Sequence, residues 1–286
     1  MSPREFDAWL QDRDRRPLVM GVLNVTPDSF SDGGSFLDVG AAVAHARTMA
    51  AQGADVIDVG AESTRPGSER TDAAEQVRRM VPVLRALRGH LEGTTLSVDT
   101  TRAVVAEAAL DEGVHVVNDI SAGRDDPNIF QVAAAREAPF ILMHMQGTPA
   151  TMQVDPQYVH VLAEVGNFLR ERMHAAMSAG VKRNRILVDP GIGFGKTVDH
   201  NLTLLRDLRF LRSLGRPLVV GTSRKGFIGR VLAGTTTPDP DTRLYGTAAT
   251  VAWAVANGAA VVRVHDVGQM AQVVRMTRAI GRGRAD

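Results

Sequence analysis

The sequence predicts an α/β chain folded as a single closed (β/α)8 TIM barrel, and three observations carry the prediction. About eight short apolar runs recur along the 286 residues, nearly all separated by a segment with apolar residues at helical spacing. Strand–helix alternation demands parallel pairing with the helices outside. Eight such units in roughly 260 residues match the usual size of a closed barrel. Almost every apolar run stops at a polar residue or loop, and in a parallel sheet those stops share one end, where active sites gather. An open doubly wound sheet is the structural rival and would also bring them to one end.

Residues 1–16 read as a charged N-terminal lead-in, with Trp9 and Leu10 packing under the body, and residues 17–286 as the barrel. The first strand, 18–23, is apolar apart from Gly21 and so reads as buried on both faces. At Asn24 the chain turns abruptly polar, through Pro27, Asp28, Phe30 and Asp32 to Gly33-Gly34, and a long polar loop at a strand end is expected to form one wall of a site. Val39, Val43, Ala46 and Ala50 give a helix closed by Gly53, and 56–59 the second strand, which delivers the loop 60–67 (GAESTRPG). Asp72 and Glu75 have capping-box spacing ahead of a helix with Val77, Met80, Val81 and Leu84 on its apolar face.

The unit then repeats. Strands over 96–98, 114–117, 140–143, 186–188, 218–220 and 261–264 stop at Asp99, Asn118-Asp119, His144, Asp189, Gly221 and His265. Helices are predicted over 101–110, from Asp126-Pro127 (a capping residue before a first-turn proline), along Leu162, Val165, Leu169 and Met173, over 243–256, and along Met270, Val273, Val274 and Thr277.

Composition narrows the function. A net charge of +1 gives no sign of a nucleic-acid-binding surface, and the absence of cysteine excludes disulfides, cysteine nucleophiles and Cys-ligated metal. The most apolar long stretch, 247–264, is broken by Asn257-Gly258 and Arg263, so no membrane span is expected; nor is a signal peptide, and the cytoplasm is the default location. The strand ends gather Asn24, Asp99, Asn118, Asp189, Lys225, Arg263 and His265, with Thr64, Arg65 and Ser223 on the loops. Two carboxylates and an asparagine in one layer suit a flat heterocycle with alternating donors and acceptors. Arg65, Arg263, His265 and Lys225 give the mouth a cationic character suited to a phosphate or diphosphate. Asn24, with nearby Asp residues, could hold a Mg2+ that keeps most of its waters and shares a phosphate. The stretch 189–197 (DPGIGFGKT) is not a P-loop, because the glycine required five places before Gly195 is Pro190; its glycines are expected to bring backbone close to a ligand beside Asp189, with Phe194 as an apolar lid.

At these residues the sequence resembles the dihydropteroate synthase family. The matching segments are 24–34, 58–67, 97–100, 117–120, 142–147, 189–196, 223–225 and 263–266, in family order over residues 18 to 280. Ala61 and Gly226-Phe227 depart from the pattern, away from any residue carried over. The resemblance implies a transferase of folate biosynthesis that condenses 6-hydroxymethyl-7,8-dihydropterin diphosphate with p-aminobenzoate. Carried over residue by residue, Asp99, Asn118, Asp189 and Lys225 would bind the pterin, with Met143 against it and Arg263 stacked on its face. Asn24 would ligate Mg2+, Arg263 and His265 would bind the diphosphate, and Thr64, Arg65, Pro66, Phe194 and Ser223 would shape the p-aminobenzoate site. Phe30 and Asp32 would act once the first loop folds over the substrates. The resemblance also implies a homodimer, and sulfonamides, which resemble p-aminobenzoate, would compete near Ser223 and Pro66. A pterin-dependent methyltransferase shares the pterin-binding set but has no need of the first loop or of Ser223-Arg224-Lys225. A non-catalytic pterin-binding paralogue predicts loss of Asn24, Arg65 or Lys225, and all three are present.

Overall fold

Eight parallel strands pair in sequence order and close on themselves in the computed structural model, which describes residues 1–26, 38–63, 67–68, 70–91, 93–233 and 240–284. They are β1 (Leu18–Asn24), β2 (Val56–Gly60), β3 (Thr95–Asp99), β4 (Val116–Asp119), β5 (Phe140–Met143), β6 (Ile186–Asp189), β7 (Leu218–Val220) and β8 (Ala259–Val264). Closure runs through the β1–β8 register, Leu18 opposite Val261 to Gly21 opposite Val264, which an open sheet would lack. The helices after the strands are α2 (Val39–Ala51), α3 (Ala73–Arg88), α4 (Ala103–Asp111), α5 (Asn128–Ala135), α6 (Val161–Ser178), α7 (Val198–Arg206), the pair α8 (Gly226–Ala233) and α9 (Leu244–Ala256), and α10 (Val267–Arg282), with short 3-10 turns between some of them.

The lead-in is itself helical. Ser2 caps α1 (Pro3–Gln11) in a capping box with Glu5, and proline stands in the first turn, where its missing N–H costs nothing. Phe6, Trp9 and Leu10 are buried with Leu18, Met20, Val56, Val116, Ile141, Leu187, Val219 and Val261, the lowest inward residues of the strands. The helix therefore plugs the N-terminal end of the barrel.

That apolar layer fixes what lies above it. Side chains alternate along a strand, so two residues beyond each of these positions points inward again. The next layers hold Val22, Asp58 and Ser97 as register neighbours, then Asn24, Gly60, Asp99 and Asn118, with Met143 opposite Asp189. The interior changes from apolar to charged on moving from the plugged end to the open one.

Three local expectations are corrected. Asp126 does not cap its own helix by its side chain alone: its Oδ1 accepts from the Asn128 N–H at 3.2 Å, and its Oδ2 accepts from the Ala103 N–H at 2.8 Å, serving the first turn of the neighbouring α4. Only half of the Asp72 capping box forms, because the Glu75 carboxylate is drawn to Arg78 and Arg79, at 2.6 Å each. The buried face of α3 is Gln76, Met80, Val83, Leu84 and Leu87, so it is rotated from the Val77–Val81 stripe; Gln76 goes inside because it bonds to Glu62, the Thr71 carbonyl and Thr100.

Candidate active site

The charged layer is organised around one guanidinium. Arg263 on β8 donates from Nε to Asp58 Oδ2 at 2.6 Å and from Nη2 to Asp99 Oδ2 at 2.7 Å. Asn118 donates from Nδ2 to the same Asp58 oxygen at 3.0 Å. These four side chains come from β8, β2, β3 and β4 and meet in the barrel interior. Asp58 is fully buried. Burial raises the Asp99 carboxyl above the ordinary carboxylate range against the pull of Arg263, with Asp58 adding to the rise.

Across the mouth, Asp189 accepts from the Gly191 N–H at 2.7 Å, and burial lifts its pKa to about 6. Lys225 follows β7 and stands with its Nζ 3.9 Å from the centre of the Phe194 ring. Burial, and next the charge of Arg263, lowers its pKa to about 8. Ser223 Oγ accepts from the His265 N–H at 3.1 Å and lies 3.1 Å from His265 Nδ1. Burial and the Arg263 charge push His265 down to about 4, so it is neutral near pH 7 and the cationic character expected of it is carried by Arg263 and Lys225. Ser223 and Lys225 flank Arg224, whose backbone has a φ of 58°. That unusual conformation for a side-chain-bearing residue is held by the Thr247 hydroxyl on its N–H, by Arg243 on its carbonyl, and by an ion pair to Asp266.

The glycine-rich turn has a different job from the one expected. Gly191, Gly193 and Gly195 all have positive φ; a β-carbon at Gly191 would lie 1.8 Å from the His144 carbonyl oxygen, and one at Gly195 would lie 2.4 Å from that of Gln146. These two glycines let the turn close against the loop after β5, while Gly193 abuts the stem of Lys225. Phe194 is not a lid: it is buried in a small cluster with Ile120, Met143, Met145 and Met152.

The structure thus brings Asp99, Asn118, Met143, Asp189, Phe194, Ser223, Lys225, Arg263 and His265 to one end of the barrel, with half-buried Asn24 at the tip of β1. Phe30, Asp32, Thr64, Arg65 and Pro66 lie outside the described residues. Sequence reasoning missed Asp58, which sits inside the mostly apolar run of β2; a carboxylate two places before a strand end shares the inward parity of that end, and this was the available signal. It also missed Lys196. This side chain is 2% exposed, and its ammonium donates to the carbonyls of Gly191 and Phe194 and meets His144 Nδ1, at 2.8 to 2.9 Å. His144, isolated in the sequence, is held neutral by burial and by that lysine, at about 2.

A barrel whose open end carries acceptors, donors and one doubly paired guanidinium belongs with the enzymes that hold a flat, hydrogen-bonding heterocycle. The sequence profile described as pterin binding enzyme matches residues 20–265. The chain is 48% identical over 280 residues to the dihydropteroate synthase of Synechocystis sp., covering 98% of this chain and 96% of that one. It resembles the solved dihydropteroate synthase of Xanthomonas albilineans with 4-aminobenzoic acid at a TM-score of 0.86 and 42% identity, covering 93% of each chain. The same enzyme in complex with 7,8-dihydropteroate gives a TM-score of 0.82 and 40% identity over 93% and 94% of the two chains. The chain belongs to the dihydropteroate synthase family and is a transferase of folate biosynthesis.

Proposed function

We propose that the open end of this barrel condenses 6-hydroxymethyl-7,8-dihydropterin diphosphate with p-aminobenzoate, giving 7,8-dihydropteroate and diphosphate. The carrying observation is the gathering of Asp99, Asn118, Asp189 and Lys225 at the end of the barrel that holds Arg263: Asp99 and Asn118 are register neighbours, Asp189 ends β6, and Lys225 follows β7. Carboxylate acceptors, an amide and a lysine donor match the edge of a pterin ring, and Met143 supplies an apolar contact beside them. The product and the amine named with the Xanthomonas enzymes support the same chemistry.

Breaking the C–O bond to diphosphate leaves positive charge on the pterin methylene, delocalised into the ring, and the aniline nitrogen attacks that carbon and loses a proton. The site needs no nucleophile. Asp189 and Asp99 stabilise the positive charge, while Arg263 and neutral His265, as a hydrogen-bond donor, receive the leaving group. Ser223 and Phe194, with Thr64, Arg65 and Pro66, shape the p-aminobenzoate side. Phe30 and Asp32 act from the first loop, excluding water that would trap the cation.

Mg2+ fits the donor set as a shared ion. Asn24 offers a hard amide oxygen at a strand end, hydrogen-bonds to no other described side chain, and stands where Gly60 leaves the space beside Asp99 clear. Among the described residues no group of three or more Asp, Glu or His forms a cage, so Asn24, waters and the diphosphate oxygens would hold the ion. When bound it supplies charge neutralisation for the departing diphosphate. The reading includes a homodimer, supported by Val231, Leu232, Tyr245, Met276 and Ile280, which α8, α9 and α10 leave more than half exposed.

The test is diphosphate release by the purified protein given the dihydropterin diphosphate. Release that needs both Mg2+ and p-aminobenzoate, with a pteroate product, is expected; tight pterin binding without release would leave a pocket without this activity.

A further inference from the structure

The family's pterin set accounts for Asp99 and Asn118 but leaves Asp58, the most deeply buried carboxylate of the site, without a task. One of its oxygens takes two hydrogen bonds, from Arg263 and Asn118, and the other, Oδ1, makes none among the described residues. A buried carboxylate with an unsatisfied oxygen is costly, so its presence calls for an explanation.

The two carboxylates that hold Arg263 differ in reach. Asp58 is a register partner of Ser97 and Asp99 of Gly60, so Asp58 lies one inward layer deeper. Its side chain is 0% exposed, that of Asp99 is 9% and that of Arg263 is 20%. Gly60 brings no side chain between Asp99 and the mouth; a β-carbon there would lie 3.5 Å from that of Asp99. A ring entering from the open end can meet Asp99 and the guanidinium face but cannot reach Asp58.

We infer that Asp58 is the positioning residue of this site: it keeps Arg263 in place, by the Nε bond from below, while Asp99 exchanges the guanidinium for the donors of the incoming pterin. This rests on the proposed pterin role of Asp99. Without Asp58, Asp99 is the guanidinium's remaining carboxylate partner in this layer. Binding a pterin then either leaves Asp99 occupied or leaves Arg263 without an anchor and off the ring face.

The experiment measures equilibrium binding of a pterin lacking the diphosphate to the full chain and to Asp58→Asn, Arg263→Gln and the double variant. Asp58→Asn is expected to weaken pterin binding about tenfold or more, within the coupling seen for residues in one charged network. In the Arg263→Gln background the same substitution should change binding less than twofold, because its effect runs through the guanidinium. An equal loss in both backgrounds would overturn the inference, since Asp58 would then act on the barrel and not on Arg263. Arg263→Lys covers the case in which Asp58→Asn does not fold. It keeps the charge on a compact ammonium but lacks the planar fork that sets Nε on Asp58 and Nη2 on Asp99 while presenting a flat face, and should lose about as much affinity as Asp58→Asn, whereas wild-type binding by Arg263→Lys would refute the bridging role. Failure of the unsubstituted protein to bind any pterin would instead refute the proposed function.

Discussion

Lys196→Met tests how the glycine-rich turn is held. The ammonium of Lys196 is the internal partner of two backbone carbonyls, Gly191 at 2.9 Å and Phe194 at 2.8 Å, and of His144 Nδ1 at 2.9 Å. Methionine keeps the length of the stem and removes the donors. The carbonyls cannot turn to solvent, because their backbone is wedged against the loop after β5 at Gly191 and Gly195. Each buried acceptor left unpaired costs about 1–3 kcal/mol, so two give roughly 2–6 kcal/mol. Releasing the protein from burying an ammonium offsets part of this, for burial is the main cause that brings the Lys196 pKa down to about 7. A net loss of about 2–3 kcal/mol follows, or a Tm fall of roughly 4–10 °C for a chain of this size. The same turn carries Phe194 beneath Lys225 and sets Gly193 against the lysine stem, so pterin affinity should fall as well. Scanning calorimetry at neutral pH and a pterin titration read the two effects. A Tm equal to or above that of the unsubstituted protein would mean that desolvating the ammonium costs as much as its three bonds return, and that the glycines alone hold the turn.

Other outcomes follow from the same geometry. With Asp189 lifted to about 6 and Lys225 lowered to about 8, kcat/KM should be bell-shaped, falling below pH 6 as the carboxylate protonates and above pH 8 as the ammonium is lost; in Asp189→Asn the acid limb should disappear with most of the pterin affinity, and an unmoved limb would assign it to another group. His265 works in the opposite sense for stability. Its folded pKa of about 4 lies below its ordinary 6.5, so the unfolded chain binds the extra proton between these values and stability drops as pH falls through that window; His265→Gln should flatten the drop in a pH series of Tm values. Deleting residues 27–32 should abolish turnover but spare pterin binding, because the side chains proposed to hold the pterin lie at or beyond the ends of other strands; loss of both would refute that division. Phe6→Ala removes a fully buried ring from the plug under the barrel, 5.3 Å from the Trp9 ring, and should cost about 3–5 kcal/mol with pterin affinity unchanged.

The barrel was legible because its strands are short, apolar and cut off by polar residues, a signal that depends on neither register nor partners. What escaped depends on both. Asp126 looks like the start of its own helix, and only the packing of α4 against α5 shows that half of its carboxylate serves Ala103. The face of α3 was misjudged because Gln76 is polar, and nothing local announces that Glu62, Thr71 and Thr100 surround it. The glycines at 191 and 195 signal a close approach, but the approaching atoms belong to a loop 47 to 49 residues earlier. Strand-end residues could be gathered from the sequence because a parallel barrel collects them whatever its register. Asp58, two places inside a strand, could be found only by following inward parity down from the strand end.

That difference in depth bears on how the site can work at all. A barrel mouth made only of carboxylates and cations facing water would pair them with one another, and a neutral heterocycle would have to break strong contacts to enter. Here the most buried charges are spent on internal arrangements, Asp58 on Arg263 and Lys196 on the turn that carries Phe194, while Asp99, Asp189 and Lys225 have only part of their bonding capacity used. The lower charges keep the upper ones oriented before a substrate arrives, so little reorganisation is left for the reaction to pay for. The same burial leaves Asp189 and Lys225 poised on either side of neutral pH, where a carboxylate and an ammonium coexist over a narrow window. Along β2 and β3 the order from apolar plug to Asp58 to Asp99 is therefore a gradient built from the two-residue alternation of the strands, and the loops after β6 and β7 add the two lysines to it.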